Sequence, residues 1–264
     1  MGPVSWVQVL HEDAQLLVVH KPAGLVCHPT KGDAASSLIG RVRLHLGAEE
    51  EPQMVHRLDR ETSGVMVFGK TTEASALLRQ AWAQGWVTKE YLALVHGHPV
   101  EDEGFIEARI GRDETSEIAI RDRVRPDGAT ARTRYRVIRR FERREGRFSL
   151  IRVWLDTGRK HQIRIHLAHV GHPLVGDKLY GLDPGLYLAF VQRRLTAEQK
   201  AQLMLPSHGL HAARLWLPWE GEERGFGSEP ERTFRDFVEG REVEWLEDPF
   251  DPQRPTGPIP GPGA

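Results

Sequence analysis

The sequence predicts an α+β fold built on a mixed, mostly antiparallel central sheet flanked by helices and loops. Three observations lead there. Strand-like segments follow one another across tight turns, helical periods are inserted irregularly rather than in alternation with strands, and no repeat of solenoid length occurs.

Taken in order, Gln15 to His20 reads as a short buried strand, stopped by Lys21-Pro22-Ala23-Gly24. Val65 to Phe68 is a second apolar strand. Thr71 or Thr72 then caps a helix whose apolar positions Ala74, Leu77, Leu78, Ala81 and Trp82 recur at helical spacing, with Gly85 as the stop. Tyr91 to Val95 returns to strand. Thr133, Tyr135 and Val137 alternate with Arg132, Arg134 and Arg136, the period-two pattern of a half-buried strand with an arginine face. Glu145-Gly146 turns the chain into Phe148 to Leu155, completing a basic hairpin. His161 to Val170 reads as a helix with Ile163, Leu167 and Val170 on one face and Gly171 closing it. Leu210 to Leu217 is a further strand and Thr233 to Val238 a short helix. Pro249 to Ala264, rich in proline and glycine, reads as a disordered tail.

Composition narrows the class. The chain has 264 residues, 39% hydrophobic and 28% charged, which is a globular profile. Its single cysteine, Cys27, excludes an intrachain disulfide. No stretch approaches the roughly 18 consecutive apolar residues of a membrane span, and the N-terminus lacks the order of a signal peptide, so a cytoplasmic, membrane-free protein is expected. Net charge is −1, which argues against a nucleic-acid partner until its distribution is considered. Arg132 to Arg164 holds twelve Lys/Arg and three Asp/Glu, whereas Glu220 to Asp251 holds twelve acids and four arginines. A basic middle and an acidic end are compatible with a polyanion groove.

Two polar clusters carry the candidate chemistry. Val55 to Gly64, VHRLDRETSG, packs His56, Arg57, Asp59, Arg60 and Glu61 between two apolar segments. His56-Arg57 followed by Asp59 is also found in protein-kinase catalytic loops, but no glycine-rich phosphate loop precedes it and no Asp-Phe-Gly follows. Asp156 to Gly181 places Arg159, His161 and Gln162 at the start of a helix with Arg164 just inside, an arrangement suited to anions or to an ionised carboxylate. His166, His169 and His172 lack the i, i+4 spacing of a helical zinc pair, so no metal is expected.

Together the segments resemble the RluA-type family of RNA pseudouridine synthases. The matching motifs run in the family's order: KPAG at Lys21 to Gly24, HRLDRETSG at His56 to Gly64, KEYLALVHG at Lys89 to Gly97, TGRKHQIRIHL with GHPLVGD from Thr157 to Asp177, and GLHA at Gly209 to Ala212. The resemblance implies the pseudouridine synthase fold and a cofactor-free, metal-free isomerase that converts uridine to pseudouridine in ribosomal or transfer RNA. It implies Asp59 as the essential nucleophile or base, Arg164 as the cation paired with that carboxylate, and Tyr91 as the residue against the base that assists loss of the C5 proton. Leu210 matches the aliphatic position on the other side of the uracil, and Arg57 either contacts the RNA backbone or fills the gap left by a flipped base. His56, Arg159, His161 and Gln162 complete the substrate-binding set, while Lys160 and the basic hairpin would track phosphates. The expected organisation is a catalytic domain over residues 1–219 without an N-terminal S4-type RNA-binding domain, then an acidic extension and Pro/Gly-rich tail over 220–264, in a monomer. Two alternatives stand beside this reading: an RNA-binding or RNA-folding factor with incidental catalysis, and an N-glycoside hydrolase using two carboxylates such as Asp59 and Glu61.

Overall fold

The computed structural model describes residues 7–29, 34–47, 50–183 and 185–245. In chain order its elements are β1 (Gln8–Glu12), β2 (Leu16–Lys21), α1 (Leu38–Leu46), β3 (Gln53–Met54), β4 (Ser63–Gly69), α2 (Thr72–Ala83), β5 (Thr88–His96), β6 (Glu103–Glu107), β7 (Ile110–Arg112) and β8 (Asp122–Val124). They continue with β9 (Arg132–Arg143), β10 (Gly146–Leu155), α3 (Gln162–His169), α4 (Gly185–Val191), α5 (Ala197–Leu203), β11 (Leu210–Trp219), β12 (Glu222–Gly227) and α6 (Arg232–Val238). Two compact units result. One comprises residues up to Thr88 together with Ala212–Pro230; the other comprises Lys89–His211 with Glu231–Trp245.

In the first unit the strands run β1-β2-β4-β11, with β12 paired to β11 and β3 to β4. Every residue of β2 and β4 is buried, so these central strands read as continuous apolar runs rather than as alternation. Asp13 fastens the β1–β2 turn by accepting the amides of Gln15 and Leu16 at 2.8 and 2.7 Å. Partial burial opposes its ionisation, but the bonds from His11 and these amides prevail and pull its pKa down to about 2. Thr71, not Thr72, caps α2, accepting the Ala74 amide at 3.1 Å. Gly85 leaves the helix at φ +71°. Ala74, Leu78 and Ala81 of α2 pack on Leu16, Val18, Val65, Val67, Leu215 and Leu217, the core of this unit, whereas Leu77 faces solvent.

In the second unit β5, β10, β9 and β6 form an antiparallel series, and β7 pairs with β8. The β9–β10 hairpin is the one expected from the arginine alternation, with Thr133 fully buried and Arg132, Arg134 and Arg136 exposed. One register shift interrupts it: Val137 faces Ile151 and Arg139 faces Leu150, so Ile138 is an extra residue, a β-bulge. α3 packs Ile165 into a core with Ile110, Ile118, Leu179 and Tyr180, and α6 packs Phe234 and Phe237 on Phe141 and Phe148.

One expectation changes. α3 stops at His169, so Val170 lies past the last helical turn and is 43% exposed instead of joining Ile163 and Leu167 in the core. β12 pairs with β11 residue by residue, and α6 is part of a core. The Pro249 to Ala264 tail lies outside the described residues. The fold class holds: the pairs β1–β2, β2–β4, β3–β4, β5–β10, β9–β10, β6–β9, β7–β8 and β11–β12 are antiparallel, and the helices are irregularly placed among the strands.

Candidate active site

In the first unit Asp59 sits on a loop between β3 and β4 whose backbone is tied to the KPAG turn. Lys21 is fully buried, and its ammonium donates to the carbonyls of Pro22, Leu25 and Arg60 at 2.8, 2.8 and 2.9 Å. Three neutral acceptors replace water around the charge and make its burial tolerable. The Gly24 amide also donates to the Arg60 carbonyl, and Arg60 Nε returns a bond to the Gly24 carbonyl, both at 2.9 Å. On the other flank of Asp59 the Cys27 thiol donates to the Leu58 carbonyl at 3.3 Å. Burial pushes that thiol's pKa up, so it acts as a neutral donor. The residues on both sides of Asp59 are thereby anchored, and the Thr62 amide closes a turn onto the Asp59 carbonyl at 3.2 Å.

His56 and Arg57 diverge in role. His56 Nε2 accepts the Val67 amide at 3.1 Å, and its ring stacks on Trp82 at 4.6 Å, so this face of the imidazole serves the scaffold. Arg57 is exposed and makes no hydrogen bond or ion pair among the described residues, leaving its guanidinium available to a ligand. The glycine that ends the motif is needed for close approach: Gly64 has φ +125°, and a Cβ there would stand 2.2 Å from the Ala212 carbonyl oxygen of β11.

In the second unit the TGRKHQ segment turns into α3. Gln162 is buried and fully engaged: its Nε2 donates to the Arg132 carbonyl and Thr133 Oγ1, and its Oε1 accepts from Thr157 Oγ1 and the Arg159 amide. It is a splint for the turn. His161 takes the left-handed conformation, φ 56°, and its Nδ1 lies 3.0 Å from the Tyr180 hydroxyl. Arg159 is exposed and uses Nε on the Thr130 carbonyl at 3.1 Å. Lys160 is paired with Asp122 at 2.8 Å.

Arg164 is 7% exposed and forms a two-bonded pair with Asp177, Nε to Oδ2 at 2.7 Å and Nη2 to Oδ1 at 2.9 Å. Burial alone would raise the Asp177 carboxyl, but the charge and hydrogen bonds of Arg164 hold it well below the usual carboxylate range. The guanidinium also lies over the Tyr180 ring, 5.0 Å from its centroid. Asp177 and Tyr180 therefore fix the arginine's orientation, and reading the sequence assigned neither of them. The available signal was a lone Asp inside the apolar run PLVGDKLYG. Tyr91 is 8% exposed on β5 opposite Val153, and Leu210 is 5% exposed beside Gly209, whose carbonyl accepts the Leu94 amide. Thus Gln162, His161, Arg159 and Arg164 share one helix start, with Tyr91 and Leu210 in the same unit and Asp59, His56 and Arg57 in the other.

The hairpin arginines are less available than their number suggests. Arg132 pairs with Glu107, Arg136 with Glu103 and Arg140 with Asp102 at 2.8, 2.8 and 2.6 Å, and Arg134 stacks on Trp154. His166 donates Nε2–H to the Ala108 carbonyl and meets Thr133 Oγ1 at Nδ1, both at 2.9 Å, an internal structural role.

A family model described as RNA pseudouridylate synthase matches residues 15–169. An "Uncharacterized RNA pseudouridine synthase" of Aquifex aeolicus is 33% identical over 248 residues, covering 92% of this chain and 73% of that protein. "Ribosomal large subunit pseudouridine synthase D" of Nitrosomonas europaea is 39% identical over 217 residues, covering 80% of this chain and 58% of that protein, so the chain spans less than two thirds of that relative. Among solved structures, "Human RNA Pseudouridylate Synthase Domain Containing 4" superposes with a TM-score of 0.68 at 25% identity, over 91% of this chain and 95% of that one. No described helix is long and apolar enough to cross a membrane. The ordered motifs, the α+β architecture and these likenesses converge: the chain belongs to the RNA pseudouridylate synthase family.

Proposed function

We propose that the chain isomerises uridine to pseudouridine in a ribosomal or transfer RNA, with Asp59 as the essential carboxylate. The observation that carries this reading is the anchored loop. Lys21, Gly24 and Cys27 fasten the carbonyls on both sides of Asp59, so the backbone that carries its carboxylate is held in place. In the reaction the N1–C1′ bond of uridine breaks, a C5–C1′ bond forms, and the proton lost from C5 is balanced by one gained at N1. Nothing is oxidised and no co-substrate is consumed.

Roles for the other residues follow the resemblance. Arg164 supports the ionised carboxylate, Tyr91 lies against the base and assists removal of the C5 proton, and Leu210 packs on the uracil. Arg57 and Arg159, both exposed, contact the RNA, and the target base leaves its stack to be reached. We place the protein in the cytoplasm as a monomer.

The test uses deproteinised total RNA from cells lacking the gene. Wild-type protein should form pseudouridine at defined positions, and Asp59→Asn should bind the RNA and form none. Equal rates for the two proteins would refute the assignment, and release of free uracil would point to hydrolysis. Size-exclusion chromatography with light scattering checks the monomer.

A further inference from the structure

Lys89 opens the motif KEYLALVHG, two residues before Tyr91 on β5. Residues i and i+2 of a strand share a face, so Lys89 and Tyr91 project to the same side of the sheet. Lys89 is half-buried, yet among the described residues no carboxylate or hydrogen-bond acceptor partners its ammonium. Lys21 and Lys178, the buried lysines, are surrounded by carbonyls, and Lys70 and Lys160 meet carboxylates. Burial pushes the Lys89 ammonium below its ordinary pKa with nothing to offset it.

The neighbour of this amine is Gly158, in the turn before α3. A Cβ built at Gly158 would lie 3.8 Å from Lys89 Nζ, so the missing side chain keeps the ammonium uncovered. The next residue is Arg159, whose guanidinium is exposed beyond its single bond to Thr130. A partly dehydrated cation without a counter-charge is costly unless a ligand supplies one, and a second cation beside it calls for an anion.

We propose that Lys89 receives a backbone phosphate of the RNA at the Gly158–Arg159 turn. This rests on the reading of the chain as an RNA isomerase and adds a substrate contact to it. The ammonium acts as a point charge on a non-bridging oxygen, while Arg159 faces the same phosphate from the turn. Lys89 thereby registers the strand so that the nucleotide next to it falls to Tyr91, a positioning role.

The experiment uses the full chain, a uridine-only oligonucleotide for binding, and deproteinised RNA from cells lacking the gene for turnover. Lys89→Met should weaken oligonucleotide binding about tenfold and flatten its dependence on log salt by about 0.7, the loss of one single-strand phosphate contact. In turnover the loss should fall mainly on the RNA concentration giving half-maximal rate, and Lys89→Arg should restore the salt slope. Gly158→Val should weaken binding too, since it covers the amine without removing it. Unchanged affinity and slope in Lys89→Met would overturn the contact. If that variant does not fold, wild-type protein with 13C-methylated lysines decides. A Lys89 resonance, assigned with Lys89→Arg, that shifts with added oligonucleotide supports the contact, and one that stays overturns it. Wild-type protein that binds through Lys89 and forms no pseudouridine leaves the contact standing and overturns the isomerase reading instead.

Discussion

Arg164 and Asp177 meet as a buried, two-bonded pair across thirteen residues of chain. The carboxylate is completed by the amides of Leu179 and Tyr180 at 2.9 and 3.0 Å, so it belongs to the scaffold. Asp177→Asn removes the charged half of this buried pair and should cost about 3–5 kcal/mol in urea unfolding. Adding Arg164→Met should recover much of that loss, whereas a single variant within error of wild type would remove the pair from the stability account.

Lys21→Met deletes three donors at once. Because carbonyls of Leu25 and Arg60 are then left with one partner fewer around a buried side chain, stability should fall by at least about 2 kcal/mol. Hydrogen exchange should rise first at residues 57–62. Exchange that rises elsewhere and spares this loop would contradict the anchoring role.

Gly64→Ala combines an unfavourable backbone with a collision at the Ala212 carbonyl. Strain of about 1–3 kcal/mol and overpacking of a similar size are expected to add. Thermal unfolding measures the sum; a variant as stable as wild type would mean that β4 and β11 separate without cost.

Arginines differ in what they offer to RNA. Arg136 is occupied by Glu103, whereas Arg57 carries no partner among the described residues. Arg57→Ala should flatten the salt dependence of RNA binding by about 0.7, and Arg136→Ala by much less. Equal slopes for the two variants would show that the ion pair opens on binding.

His166 predicts a stability change near neutrality. Burial lowers its pKa, and the bond to the Ala108 carbonyl only partly offsets this. Below the unfolded value of about 6.5 the unfolded chain binds more protons, so stability is complete above that pH and declines as pH falls through the folded value. His96 acts in the same direction through burial. The urea midpoint should start to fall below about pH 6.5, and His166→Gln should shallow the decline. A wild-type midpoint that is flat down to about pH 5.5 would contradict the prediction.

Much of the fold is legible in the residues. LLVVHK and SGVMVFG announce buried strands by unbroken apolarity, and Thr71 with Ala74, Leu78 and Ala81 announces α2. β6 and β12 were not legible because EGFIE and EERGFG bury few side chains. α5 does carry a local signal, the capping box of Thr196 and Gln199. In the site, the loop bearing Asp59 stands out as a polar cluster between apolar segments. What holds it does not, since Lys21 is tied by carbonyls that every residue type possesses. The pairing of Arg164 with Asp177 was hidden for a similar reason: a turn brings Asp177 back to α3, and no local period records it.

The extra residue at Ile138 has a consequence for the hairpin as a mechanical part. Strict parity would put Phe141 on the side of Thr133 and Val137, but the bulge places Arg134, Arg136, Arg139 and Phe141 on one side, opposite Trp154, Arg152, Leu150 and Phe148. The ribbon consequently presents Thr133 to α3 near its open end and Phe141 to α6 near its tip, on opposite surfaces. One two-stranded ribbon so acts as a crossbeam clamped from both sides, and removing residue 138 alone would keep every cross-strand partnership while taking the local twist out of the beam.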